Sequence, residues 1–185
     1  MYLKWKKMPI FANRKTNVFI HKPPFLLSCM KTLLIWVGKT TDKHIQACLN
    51  DYVGRIGHYM PFDIREIPEL RNTKKLTEAQ QKEQEGEQIM KLLQDGDHVV
   101  LLDERGTERR SVAFADWIQK KSMATRRLVF VIGGPYGFSE RVYQRANERI
   151  SLSLMTFSHQ MVRLIFTEQL YRACTIIKGE PYHHE

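Results

Sequence analysis

From Met30 onward, apolar residues come in short runs and in helically spaced sets, parted by turn residues. Lys31 to Val37 is an apolar run closed by Gly38 and reads as a first strand. Thr41 or Asp42 then caps a helix to about Ile56, with Ile45, Leu49, Tyr52, Val53 and Ile56 at helical spacing. Phe62 to Ile67 predicts a second strand, ended by Pro68, and a basic polar loop over residues 71–75 follows. Leu76 to Gln94 predicts a very polar helix whose sparse apolar face is Ile89, Leu92 and Leu93. Its charges read as a solvated face, supported by pairs such as Glu87 and Lys91.

The third strand is expected at His98 to Leu102, ending in a loop, Asp103-Glu104-Arg105-Gly106. Ser111 is expected to cap a helix to about Lys121. Leu128 to Ile132 is continuously apolar and rich in β-branched residues, as a strand buried on both faces should be. Gly133-Gly134-Pro135-Tyr136-Gly137-Phe138 comes next, and Ser139-Glu140 opens a short helix. Ile150 to Leu154 predicts a last strand, and Ser158 the cap of a long helix beginning near Met161. In that helix Met161, Val162, Leu164, Ile165, Phe166, Leu170, Tyr171 and Ala173 fall on all sides, so it must be covered on all sides. Its few polar residues, among them His159, Arg163, Glu168, Gln169 and Arg172, are expected to be paired or functional.

Strands alternating with helices predict an α/β domain with a mainly parallel sheet and flanking helices. In such sheets ligands bind outside the carboxyl ends of the strands. That rule gathers Leu102-Asp103, Gly133-Gly134 and the Leu154–Ser158 turn into one rim, which is the expected site.

Composition narrows the class. The chain has 185 residues, 43% apolar and 26% charged, enough for one ordinary globular domain. Its formal charge of +9 is unevenly spread: residues 1–29 carry six basic residues and no acid, so the body is only mildly basic. Arg105 to Glu185 has 13 bases against 7 acids, so a polyanion should meet the second half. Residues 1–29 contain Pro9, Pro23 and Pro24 and show no helical or alternating pattern. They read as a basic extension, disordered or upstream of a true start at Met30, and lack the continuous apolar run of a signal peptide. Cys29, Cys48 and Cys174 form neither a disulfide framework nor a metal pattern, which suits a reducing, cytoplasmic setting. No membrane span and no metal are expected.

The glycine loop alone identifies nothing. It is not a dinucleotide fingerprint, and no Lys-Ser/Thr pair follows it as a phosphate loop requires. Arg126-Arg127 and the Arg141, Arg145, Arg149 series read first as solvated faces, with RNA contact as the alternative.

Taken together, the motifs are specific. Phe130-Val131-Ile132-Gly133-Gly134-x-x-Gly137 is followed by Ser151-x-Ser153-x-Met155-Thr156-Phe157-x-His159-Gln160-Met161-x-Arg163. Glu168-Gln169-x-Tyr171-Arg172-Ala173 and Gly179-Glu180-x-Tyr182-His183 complete the series. This ordered string resembles the large-subunit (23S) ribosomal RNA pseudouridine-N3 methyltransferases, of the SPOUT class with a C-terminal trefoil knot. The resemblance runs from Met30 to the end and includes Val37-Gly38-Lys39 and Glu85-Gly86-x-x-Ile89. Two positions depart from the pattern: Ser158 stands where Pro is usual, and His184 where a basic residue is usual.

The resemblance implies a single knotted domain over residues 30–185, acting as a homodimer on ribosomal RNA within the ribosome. It implies S-adenosyl-L-methionine held at Leu102, at Gly133, and along Leu152, Ser153, Leu154, Met155, Thr156 and Phe157. Among the motif's polar residues, Arg172 and Arg163 are expected to stabilise an anionic base or clamp a phosphate. His183 is expected to accept a proton or position the base, and His159 to be structural or to anchor the cofactor loop. A non-catalytic ribosome-binding factor of the same fold and a doubly wound nucleotide-binding oxidoreductase are the alternatives.

Overall fold

The computed structural model describes residues 27–70 and 75–183, so expectations placed on residues 1–26, on residues 71–74 and on His184 fall outside it. Five strands form one parallel sheet: β1 Lys31–Val37, β2 Phe62–Ile67, β3 His98–Glu108, β4 Arg127–Ile132 and β5 Glu148–Ser151. Their spatial order is β2-β1-β4-β3-β5. The helices are α1 Lys43–Gly57, α2 Glu78–Leu92, α3 Ser111–Ala124, α4 Glu140–Arg145 and α5 His159–Lys178.

The period of two along each central strand sends alternate side chains into two cores. Leu34, Trp36, Val100, Phe130 and Ile132 pack under α1, α3 and α5. Leu33, Ile35, Val99, Leu101, Val129 and Val131 pack against α2 and α4 through Ile89 and Val142. Both sheet faces are therefore covered, which is why β4 reads as unbroken apolar sequence.

Helix starts follow local chemistry. Asp42 accepts from the backbone N–H groups of His44 and Ile45, and Thr77 with Gln80 forms a reciprocal capping box at α2. Gln160 contributes from far along the chain. Its Oε1 accepts from the backbone N–H groups of Thr41 and Asp42, each at 2.9 Å, and its Nε2 donates to Thr41 Oγ1 at 3.1 Å. At the other end of α5, Gly179 adopts φ 74°. Its N–H donates to Ile176 and that of Glu180 to Thr175, the paired bonds of a Schellman stop.

Three boundaries differ from expectation. The loop expected at Asp103–Gly106 is an irregularity inside a longer β3, which pairs with β5 at Val100–Leu102 and again at Thr107–Glu108. There, a Cβ on Gly106 would lie 2.5 Å from the Ile150 carbonyl carbon and 2.7 Å from the Ser151 nitrogen. Backbone meets backbone at that irregularity. The last strand ends at Ser151 rather than Leu154 because its partner β3 stops at Glu108, leaving nothing to pair with. Ser111 is the first helical residue of α3 and not its cap; its hydroxyl donates to Gln169 Oε1 on α5 at 3.4 Å.

Candidate active site

The carboxyl ends of β3, β4 and β5 open into a cavity of about 380 Å³, within the range of small-molecule sites. It lies at the rim that the strand-end rule gathers. Leu102 and Asp103 form one wall, Gly133 to Phe138 a second, and Leu152, Ser153, Met155, Thr156 and Phe157 a third. His159 and Val162, from the first turn of α5, close it. Leu154 is not part of the lining and is 86% exposed.

Each wall is held locally. The glycine loop closes through the Gly137 N–H donating to the Gly134 carbonyl at 3.1 Å, with Gly137 at φ 82°. A Cβ on Gly133 would meet the Phe138 ring at 3.2 Å and the Gly137 carbonyl oxygen at 3.3 Å, so a side chain here would fit tightly. In the third wall, Ser151 Oγ donates to the Ser153 carbonyl at 3.0 Å, while Ser153 Oγ accepts from the Met155 N–H at 2.9 Å. These local bonds replace the strand pairing that ends at Ser151.

Sequence reasoning included Asp103 in the rim but missed how it is set. Tyr143 of α4 donates its hydroxyl to Asp103 Oδ2 at 2.5 Å, and the Arg105 N–H donates to Oδ1 at 2.8 Å. Burial first, and the Asp103 carboxylate second, push the Tyr143 hydroxyl up to about 12, so it stays a neutral donor. Nothing in the sequence connects Tyr143 with Asp103; the contact exists only once α4 packs beside the end of β3.

The three residues expected to act on the substrate do not meet here. Arg163 is buried, 2% exposed, with its guanidinium over the Trp36 ring at 5.1 Å. It donates to the Val37 carbonyl at 2.7 Å and to Thr40 Oγ1 at 2.9 Å, and it does not line the cavity. The expectation of a substrate contact is corrected by this geometry: Arg163 fastens α5 to the end of β1. Arg163→Met should leave the Val37 carbonyl unpaired and cost about 1–3 kcal/mol, measured by thermal unfolding. Unchanged stability together with lost methyl transfer would return Arg163 to the chemistry.

Arg172 and His183 form a second cluster near the other end of α5. Arg172 donates to Glu168 Oε1, lies over the Tyr182 ring at 4.8 Å, and approaches His183 Nδ1 at 3.5 Å. Tyr182 donates to Glu168 Oε1 at 3.1 Å and packs edge-on against Tyr171. Burial, with help from Tyr52 and Glu168, raises the pKa of Tyr182. The C-terminal residues through Tyr182 are thus packed on α1 and α5 and not frayed.

Residues 30–183 match the family described as "Predicted SPOUT methyltransferase". The chain belongs to that family. SPOUT methyltransferases use S-adenosylmethionine. Relatives named "Ribosomal RNA large subunit methyltransferase H" include that of Bacteroides fragilis, 62% identical over 157 residues, covering 84% of this chain and all of the relative. That of Bacteroides thetaiotaomicron is 60% identical over the same coverage, and that of Flavobacterium johnsoniae 53%.

The cavity of this SPOUT methyltransferase suits that cofactor. Apolar walls from Leu102, Ile132 and Val162 match an adenine and a thioether chain, and the close-packed glycine turn brings backbone rather than side chains to the ligand. The Asp103 carboxylate, already oriented by Tyr143 and Arg105, is an acceptor for hydroxyl or ammonium donors.

Proposed function

We propose that this chain methylates N3 of a pseudouridine in the large-subunit ribosomal RNA, on the assembled ribosome and as a homodimer. One observation carries the quaternary part. The cavity ends at Val162 and the Arg172 cluster lies ten residues further along α5, about 15 Å away at 1.5 Å per residue. A methyl group and the base that receives it must be in contact, so this separation supports a site shared between two subunits.

The surface of α5 supports this reading. Met161, Leu164, Ile165, Glu168 and Arg172 share a helical face that remains half-exposed or exposed. Leu154 and Met155 are 86% and 73% exposed beside it. A second copy would bury this apolar edge and bring its own Arg172 and His183 towards the cavity. The helix that reads as apolar all round is thus covered on one side by α1 and α3 and left for a partner on the other.

The sulfonium cofactor supplies the methyl group, and the remaining work is positioning and charge. N3 of the base carries a proton at neutral pH and must lose it before attacking. Arg172 is a fixed cation for the resulting anion, and His183 beside it is the candidate proton acceptor. Tyr182, kept neutral by its raised pKa, props the guanidinium from beneath.

The test is calorimetric titration with S-adenosylmethionine, alongside mass in solution, followed by methylation assays on whole ribosomes and on free RNA. A cofactor-binding dimer that methylates ribosomes is the expected result. A well-folded dimer without cofactor binding would move the assignment to a non-catalytic ribosome-binding factor. A monomer that methylates would refute the shared site.

A further inference from the structure

One acid in the structure has no role in the site as described. Glu85, in the middle of α2, is 3% exposed. Its Oε1 accepts from Gln81 Nε2 at 2.9 Å, while Oε2 is buried with no hydrogen-bond partner among the described residues. That oxygen lies against the cavity-lining glycine turn: a Cβ on Gly134 would be 2.3 Å from it. The next residue repeats the arrangement, since a Cβ on Gly86 would be 2.4 Å from Ser139 Oγ, where the same turn enters α4. Glu85 and Gly86 are thus the surface of α2 on which the segment from Gly134 to Ser139 rests.

A carboxylate in this position would bury an unpaired charged oxygen, among the costliest arrangements in a protein interior. A carboxylic acid carries its own proton and is a donor as well as an acceptor. We propose that Glu85 is a positioning residue for the cofactor loop: as a neutral acid seated against Gly134, it holds the Gly133–Gly137 turn in its pocket-forming shape. The inference rests on the reading of that cavity as the cofactor site, and it gives a purpose to the Glu85-Gly86 pair, which lies far from the cavity in sequence.

The electrostatics point the same way. Burial raises the carboxyl's pKa, and the titratable group whose charge reaches it, Glu69 after β2, raises it further; Gln81 on its own helix opposes. From the loop side it is met by the Gly134 backbone. A carboxyl raised in the folded state leaves stability full below its ordinary value of 4.5 and lower once pH has risen through the raised value.

The experiment compares wild type, Glu85→Gln, Glu85→Ala and Gly134→Ala. Hydrogen exchange at the Gly137 amide is read first, in cofactor-free protein. Glu85→Ala should lower its protection at least tenfold, whereas Glu85→Gln, neutral and of the same shape, should stay within about threefold of wild type. The stability of Glu85→Gln should also lack the wild-type decline above pH 4.5. With S-adenosylmethionine, Glu85→Ala should raise Kd at least tenfold with kcat at saturation little changed. Gly134→Ala, which keeps the acid but whose Cβ would push the Glu85 carboxyl off its seat, should reproduce both losses, so the result does not depend on Glu85→Ala folding. Protection unchanged in Glu85→Ala or in Gly134→Ala would overturn the proposal, as would Glu85→Gln behaving like Glu85→Ala. Failure of wild type to bind cofactor would instead refute the cofactor site, and the exchange comparison would still decide whether Glu85 holds the turn.

Discussion

Arg172→Ala should lower methyl transfer by about 10²–10³-fold at saturating cofactor, the usual cost of removing one preorganised donor from developing negative charge. The affinity for S-adenosylmethionine should change little, because Arg172 is not among the residues lining the cavity and its proposed contact is with the base. Truncation would also free Glu168, whose Oε1 then retains only the Tyr182 hydroxyl. Arg172→Lys separates the two effects: it keeps a charge near Glu168 but loses the planar group lying over Tyr182. Single-turnover assays on ribosomes, with cofactor binding measured in parallel, distinguish the outcomes. Undiminished turnover in Arg172→Ala would end its assignment to the chemistry.

The second large effect is expected on stability. Gly106 crosses Ile150 and Ser151 with no space for a methyl group, and the atoms in the way are backbone, which cannot swing aside. Gly106→Ala should therefore cost about 3 kcal/mol, at the upper end of ordinary overpacking. For a domain of this size that corresponds to a fall in Tm of roughly 6–12 °C. The crossing lies beside the cavity walls at Leu102 and Leu152, so cofactor affinity should fall with it. An unchanged Tm would mean that β3 and β5 have slack where they pass.

Most of the sheet was legible because its information is local. β1 is bounded as its apolar run and Gly38 indicate, and β2 as its Phe62, Ile64 and Ile67 positions and Pro68 indicate. The cavity was legible from topology, since parallel strands gather their carboxyl ends on one side. What could not be read depends on partners distant in sequence. The end of β5 is set by the end of β3, and the setting of Asp103 by Tyr143 from α4. Arg163 was misplaced because an arginine in a conspicuous motif suggests chemistry, and only the fold shows it aimed at the Val37 carbonyl. Leu154, which the resemblance places along the cofactor, has an exposed side chain, and the sequence does not say which apolar residue of such a run turns outward.

The first turn of α5 fixes residues made much earlier: Gln160 caps Thr41 and Asp42, and Arg163 holds Val37 and Thr40. The junction on which the first strand and first helix depend is therefore finished late in the chain's own synthesis. A product released before residue 160 would present that junction with neither bond. Proteolysis of such truncated chains should find it open to cleavage, while the full-length protein resists. Quality control is thereby built into the order of translation, because a nearly complete chain remains recognisably unfinished until its last helix docks.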